Sequence, residues 1–204
     1  MASDDVHGEV VLVRHGETEW TLTGQHTGRT DIPLTERGRN EARLLAPLLS
    51  SADFALVLSS PLRRARETCE LAGLASRVEI EPNLMEWNYG NYEGLTSTQI
   101  ERTAPNWMVF TDGCPGGETP EQVGARADRV IDRIRRVSGR VVLFAHGHLL
   151  RVFAARWIGF PPSAGQHFLL NTSTICILSY YRGTPAVKRW NAPIKPPKVT
   201  SHVS

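Results

Sequence analysis

The residues of this chain that could do chemistry fall at two places that echo each other. Near the start, the apolar run Val10-Val11-Leu12-Val13 leads into Arg14-His15-Gly16, and far downstream Val141-Val142-Leu143-Phe144-Ala145 leads into His146-Gly147-His148. Each reads as a buried strand ending on a histidine followed by glycine. An imidazole beside a guanidinium pairs a nucleophile with an anion-binding group, because the neighbouring cation keeps the ring unprotonated and able to attack. Two such strand ends in one parallel sheet would meet at its carboxyl edge, where ligands of α/β proteins bind. Taken singly, each histidine has a plainer reading as a satisfied structural residue. The spacing of His146 and His148 also fits a metal pair, but no Asp follows them and Arg14 and Arg151 would repel a cation. No metal and no other cofactor is expected.

The elements that would position these residues alternate along the chain. Strands are expected at Glu9 to Val13, Phe54 to Ser59, Val78 to Glu81 and Arg140 to Ala145, all short and aliphatic. Thr35 can cap a helix from about Glu36 that carries Ala42, Leu45, Leu48 and Leu49. A second helix should begin near Pro61, where a missing N–H costs least, and run through Arg64 and Thr68 to about Gly73. A third, Thr119 to Val137, sets Val123, Ala127, Val130, Ile131 and Ile134 on one face and arginines and acids on the other. A fourth leaves Gly147 with Leu149, Leu150, Val152, Phe153 and Trp157 before Gly159-Phe160-Pro161-Pro162 breaks it. His167 to Leu170, Thr174 to Tyr180 and Ala186 to Trp190 read as further strands, the last two joined as a hairpin at Arg182-Gly183. The fold class is therefore α/β, a three-layer sandwich with a mostly parallel central sheet between helices. Residues 1–191 form one domain, in which about 85–120, dense in Trp, Tyr, Gly and Pro, make a short irregular cap. Residues 192–204 form a disordered Pro- and Lys-containing tail.

Composition narrows the function. A chain of 204 residues has room for one well-buried core, and a formal charge of +2 is too small to suggest a nucleic-acid partner. Three scattered cysteines favour reduced thiols, and neither a leader nor a membrane-length apolar run is present, so a cytoplasmic location is expected.

The motif set as a whole resembles the histidine phosphatase superfamily, the phosphoglycerate mutase-like fold. Arg14-His15-Gly16-Glu17-Thr18 is followed in the family order by Gly28, Asp31 and Pro33-Leu34-Thr35, then by Ser60-Pro61-Leu62-Arg63-Arg64-Ala65 with Thr68. Leu84-Met85-Glu86, Tyr89-Gly90, Glu93-Gly94, Pro115-Gly116-Gly117-Glu118 and His146-Gly147 with Arg151 continue it, so the resemblance spans about residues 9 to 190. It implies that His15 is the nucleophile, that Arg14 and Arg64 hold the phosphate, and that Glu86 is the proton donor. His146, protonated once phosphate is bound, would stabilise the transferred group. Arg63 matches a variable position and takes a structural or surface role. In-line displacement of a phosphomonoester needs these parts: a nucleophile, cations around the equatorial oxygens, and an acid on the leaving oxygen.

Substrate contacts are expected from Thr21, Gln25, His26, Thr27, Gly28 and Tyr89, and from the backbone N–H groups of Gly147 and His148. Thr21 stands where most members have asparagine. Trp87, next to Glu86, would wall the pocket. Mutases of the family carry a long cap with basic side chains for the sugar-acid carboxylate, whereas between Tyr92 and Pro120 the only basic residue here is Arg102. That favours release to water. Gly24-Gln25-His26-Thr27-Gly28, Glu86-Trp87-Asn88-Tyr89-Gly90 and Asp112-Gly113-Cys114 are similar to the branch containing sedoheptulose bisphosphatases and mycobacterial acid phosphatases. A small phosphorylated metabolite is the expected partner, sedoheptulose 1,7-bisphosphate the specific candidate, and a homo-oligomer is compatible with the chain. The alternatives are a 2,3-bisphosphoglycerate-dependent phosphoglycerate mutase and a non-catalytic phospho-ligand binding module.

Overall fold

The computed structural model describes residues 8–194. Six strands form one sheet: β1 (Val10–Arg14), β2 (Phe54–Ser59), β3 (Val78–Ile80), β4 (Arg140–Ala145), β5 (Thr174–Tyr181) and β6 (Thr184–Pro193), in the order β3-β2-β4-β1-β5-β6. The first four in that order are parallel, and β5 and β6 run antiparallel at one edge. β4 lies between β1 and β2, with Arg14 opposite Ala145 and Ser59 opposite Phe144. That register brings the ends of three strands together.

The helices follow in chain order as α1 (Glu19–Thr23), α2 (Glu36–Arg43), α3 (Ala46–Leu49), α4 (Arg63–Leu71), α5 (Ser97–Glu101), α6 (Val109–Asp112), α7 (Pro120–Ile134) and α8 (Gly147–Trp157). The two-residue periodicity of the strands assigns them to two layers. Val10, Leu12, Leu58, Val141 and Leu143 face one way and pack with Val123, Ala127, Val130, Leu150 and Phe153 of α7 and α8. Val11, Val13, Val57, Val142 and Phe144 face the other way, onto Leu45, Leu49, Cys69 and Leu74 around α2–α4. Both faces of the central strands are covered, which is why they read as unbroken apolar runs.

Local chemistry sets the helix starts. Thr35 accepts from the Gly38 N–H, and Thr119 closes a capping box with Gln122 ahead of Pro120, each such cap contributing roughly 1 kcal/mol. The β5–β6 turn is Arg182-Gly183, both left-handed with φ of 51° and 79°, the two-residue hairpin geometry that matches strand twist.

Four expectations are corrected. The helix from Glu36 stops at Arg43, and Leu48 and Leu49 belong to the separate turn α3. α4 begins at Arg63 with Leu62 as its N-cap, so Pro61 precedes the helix. His167 to Leu170 is no strand: a 3₁₀ turn covers Pro162–His167, and beyond it the Leu169 and Leu170 carbonyls accept from the side chains of Trp190 and Arg14. Those carbonyls go to side chains instead of a ladder. β6 runs on to Pro193, so Ala192 and Pro193 are sheet, while residues 195–204 of the expected tail lie outside the described residues. No helix among the described residues is long and apolar enough to cross a membrane.

Candidate active site

His15 leaves β1 with its backbone N–H donated to the Ala145 carbonyl (3.0 Å), and its ring is buried. Nδ1 lies 2.8 Å from the Gly16 carbonyl oxygen. A carbonyl only accepts, so Nδ1 carries the hydrogen and Nε2 holds the lone pair. Burial pushes the imidazole well below its usual range, and the Arg64 and Arg14 guanidiniums push it further. The ring is therefore neutral, with a fixed tautomer and a free lone pair on Nε2.

His146 follows β4, its ring centroid 5.1 Å from that of His15. Arg64 Nε donates to His146 Nδ1 (3.2 Å), and because a guanidinium only donates, the ring hydrogen sits on Nε2, which donates to Ser60 Oγ (2.7 Å). Burial, then Arg64, then His15 keep this imidazole neutral in the free protein. Ser60 follows the end of β2, with its N–H on the Phe144 carbonyl. The ends of β1, β4 and β2 thus bring two imidazoles and a hydroxyl side by side.

Arg64, in the first turn of α4, is fully buried and spends three of its other four hydrogens on backbone: Nη1 on Thr30 O (2.9 Å), Nη2 on Thr27 O (2.9 Å) and Gly28 O (3.0 Å). Thr68, one turn on, accepts from the Gly16 N–H (3.1 Å) and ties α4 to the His15 loop. Arg14 donates through Nη1 to Leu170 O, while its Nε is buried without a partner. A buried donor left unpaired beside His15 is a place where an anion could be held. Gly147 makes room for this guanidinium, since a Cβ there would stand 3.2 Å from Arg14 Cζ.

Glu86 approaches from the cap. Oε1 accepts from the N–H of Trp87 (2.9 Å) and Leu149 (2.9 Å), and Oε2 accepts from the N–H of His148 (3.0 Å). The carboxylate thereby satisfies two free N–H groups in the first turn of α8. Buried Arg126 of α7 holds this loop, donating to the carbonyls of Asn83, Met85 and Glu86 and to both oxygens of Glu118.

Above the floor opens a cleft of about 230 Å³. Of the residues singled out in the sequence, Arg14, His15 and Glu86 line it, as do Thr21, His26 and Thr27, and Tyr89, Gly147 and His148 on the far side. Arg64 and His146 stand behind that surface. Gln25 and Gly28 are not on it: Gln25 Nε2 donates to Gly94 O, and Gly28 is wedged where a Cβ would meet Trp87 O at 2.4 Å. Thr21 uses its hydroxyl in the capping box of α1, taking the Thr18 N–H (2.8 Å) and donating to Thr18 O (2.8 Å). Trp87 is core and not pocket wall, fully buried edge-on to Phe110. The His148 N–H goes to Glu86, and what this residue offers the cleft is its ring, whose Nδ1 is hydrogen-bonded to Tyr89 Oη.

Sequence reasoning did not single out Ser60, Ser97, Arg126 or Arg151 as site residues. Arg151 had a usable signal: it follows His148 by three on α8, so both share the helix face turned to the cleft. Arg126 had none, since it stands among the many arginines of α7's polar face and only the tertiary fold buries it.

The sequence model of the histidine phosphatase superfamily (branch 1) matches residues 10–193. The acid phosphatase of Mycobacterium tuberculosis is 43% identical over 178 residues, covering 85% of this chain and 87% of the relative. The sedoheptulose 1,7-bisphosphatase of Saccharomyces cerevisiae is 36% identical over 182 residues, covering 73% of this chain and 67% of the relative. Among solved structures, an open-reading-frame product of Mycobacterium tuberculosis superposes with a TM-score of 0.87 at 37% identity, covering 92% of this chain and 99% of that one.

Proposed function

Because the chain belongs to the histidine phosphatase superfamily (branch 1), we propose that it is a metal-independent phosphatase, hydrolysing a small phosphomonoester of the sugar phosphate class through a phosphohistidine on His15. The observation that carries this reading is the fixed tautomer of His15. Nδ1–H is committed to the Gly16 carbonyl, leaving the Nε2 lone pair for phosphorus beside the unpaired Arg14 Nε.

The steps follow from the geometry. Nε2 of His15 attacks phosphorus and the bond to the leaving oxygen breaks, with Arg14 and Arg64 offsetting charge on the equatorial oxygens. Substrate phosphate at His146 Nδ1 replaces the Arg64 contact, and its negative charge favours a proton on that ring. Glu86 protonates the departing alkoxide. Of its four lone-pair positions three already accept backbone N–H groups, so the proton is carried at the remaining site on Oε2. Glu86 then takes a proton from the water that attacks the phosphohistidine, which regenerates His15 and releases inorganic phosphate.

The named activities of the mycobacterial and yeast relatives agree with a phosphatase, and sedoheptulose 1,7-bisphosphate is the specific substrate we assign. A second reading, transfer onto a sugar acid as in a 2,3-bisphosphoglycerate-dependent mutase, draws on one observation: Arg151 brings to the cleft a cation from outside the cap, which between Tyr92 and Pro120 has Arg102 alone. A screen of phosphorylated metabolites for inorganic phosphate release, run beside 3-phosphoglycerate isomerisation with a bisphosphate primer, separates the two. Phosphate release with no primed isomerisation is the expected result. Isomerisation exceeding hydrolysis would replace the phosphatase reading with the mutase one.

A further inference from the structure

Glu93 takes no part in the phosphoryl-transfer steps, yet it is bonded to the loop that holds Arg64. It follows the 3₁₀ turn Gly90–Tyr92, with its N–H donated to Gly90 O (3.2 Å). Its Oε1 accepts from the N–H groups of Gly28 (2.8 Å) and Thr30 (3.1 Å), while Oε2 is buried without a partner. Gly28 lets the carboxylate lie against the backbone, since a Cβ there would stand 2.5 Å from Oε2. Tying down the loop asks for one acceptor oxygen only. A second carboxylate oxygen, buried and unpaired, is a cost that such a tie does not explain.

On the other side of the same loop stands Arg64. The Gly28 N–H and the Thr27 carbonyl belong to one peptide group, and in a trans peptide they point in opposite directions. Glu93 Oε1 takes the N–H end of that group and Arg64 Nη2 takes its carbonyl end (2.9 Å), so the peptide dipole lies aligned between anion and cation. Thr30 is held on both sides too, its N–H on Glu93 Oε1 and its carbonyl on Arg64 Nη1 (2.9 Å). Among the described residues no carboxylate touches Arg64, whose bonds go to three carbonyls and to His146. Burial works against the charge on this guanidinium, and the acids around it, Glu86 first and Glu93 among them, work for it. A direct ion pair would occupy donors that a phosphate needs. An acid one peptide away favours the charge and leaves a hydrogen on Nη1 uncommitted.

We propose that Glu93 is a positioning residue for Arg64, a remote counter-ion that orients the guanidinium through the Thr27–Gly28 peptide without occupying it. The inference rests on the phosphatase reading, which gives Arg64 its place on the transferred phosphate. Shape alone does not demand the acid, because the loop has other ties. Gly94 N–H donates to His26 O, His26 N–H donates to Leu95 O, and Gln25 Nε2 donates to Gly94 O. An uncharged side chain with one acceptor oxygen would hold Gly28 and Thr30 as well, so what Glu93 adds is its charge.

The test is a double-mutant cycle of Glu93→Gln and Arg64→Met, read as kcat/KM for p-nitrophenyl phosphate. Glu93→Gln keeps an acceptor for the two N–H groups and removes the charge. In the wild-type background it should lower kcat/KM by about tenfold, and in the Arg64→Met background by no more than about twofold, because the residue it acts through is gone. An equal loss in both backgrounds, or no loss in the wild type, overturns the proposal. Arg64 is buried, so Arg64→Met can fail to fold or to turn over, and NMR of isotope-labelled wild type and Glu93→Gln then decides. The Arg64 Nε–H signal, from the bond to His146, should shift, while the His15 Nδ1–H signal, from the bond to Gly16 O, should hold. An Arg64 signal that stays in place, or the same disturbance of both signals, counts against positioning. Failure of the wild type to release phosphate from any substrate would sink the phosphatase reading alone, and the NMR arm would still decide whether Glu93 orients Arg64.

Discussion

The floor of the cleft and its outer wall use the same residue types, histidine and arginine, but hold them differently. On the floor, His15, His146 and Arg64 are bound to backbone carbonyls, to Ser60 and to one another, on the ends of paired strands and the first turn of a helix. On the wall, His26, His148 and Arg151 also make hydrogen bonds, to Leu95 O, to Tyr89 Oη and to the carbonyls of Gly165 and Gln166, but they add ring contacts with Tyr89, Trp107 and Phe110, which come from the cap. A sheet edge fixes angles and tautomers that a reacting nitrogen must have in every turnover. A wall of packed rings fixes a shape, and it can be rebuilt for another leaving group without disturbing the floor. Chemistry should therefore fail on the floor, and selectivity should fail on the wall.

The largest effect should come from the floor. On the proposed mechanism His15→Ala removes the attacking nitrogen, and phosphate release should drop by about 10⁴-fold or more for every substrate. Stopped assays on good and poor leaving groups check this, and turnover within tenfold of the wild type would refute the phosphohistidine. Glu86→Gln comes next and divides substrates by their leaving groups. With an alkyl phosphate kcat should fall roughly 10²- to 10⁴-fold, while p-nitrophenyl phosphate, whose leaving group needs little protonation, should lose far less. An equal loss with both leaving groups would remove Glu86 from the donor role.

Much of the floor was legible in the sequence, because each of its parts is a local pattern. Apolar runs ending in His-Gly named β1 and β4, and a short aliphatic run followed by Ser60-Pro61 named β2. The wall was not legible in the same way. Trp87, beside Glu86 in sequence, was expected on the pocket and is core, since adjacent residues of an irregular loop point in unrelated directions. Arg151 was passed over because cations were counted within the cap, whereas the fold delivers this one from a helix after the second strand end. Thr21 lies in α1 and Gln25 just beyond it, and their polar groups are committed to a helix cap and to Gly94.

Arg126 lies between the two regions, holding the loop that carries both Glu86 and Trp87. Arg126→Met would leave three backbone carbonyls without their donor and Glu118 with only the Asn88 N–H and the longer Arg29 contact, at a cost approaching the roughly 3–5 kcal/mol of breaking a buried ion pair. Chemical denaturation should show that loss. Where the variant still folds, kcat for poor leaving groups should fall more than KM changes, because the loop positions a proton and not the phosphate. Equal changes in both would mean that the loop serves binding.

The smallest effect is one of proton linkage, and it sets floor against wall directly. His15, His146 and His148 are all held well below their ordinary value of 6.5, in each case by burial first and nearby arginine second. A histidine whose folded pKa is depressed binds fewer protons folded than unfolded as pH drops below about 6.5, so its contribution to stability is complete above that value and lost beneath it. Each of the three can remove up to about 1.4 kcal/mol per pH unit. Melting temperature should therefore be flat above pH 7 and fall between pH 6.5 and 5. His148→Phe, which keeps a ring against Phe110, should lessen that slope with or without inorganic phosphate. His146→Asn should lessen it clearly only without phosphate, because a bound anion already favours the proton on the floor ring. If phosphate restored stability at low pH to the same degree in both variants, the wall would be as much a phosphate site as the floor, and the division between chemistry and selectivity would fail.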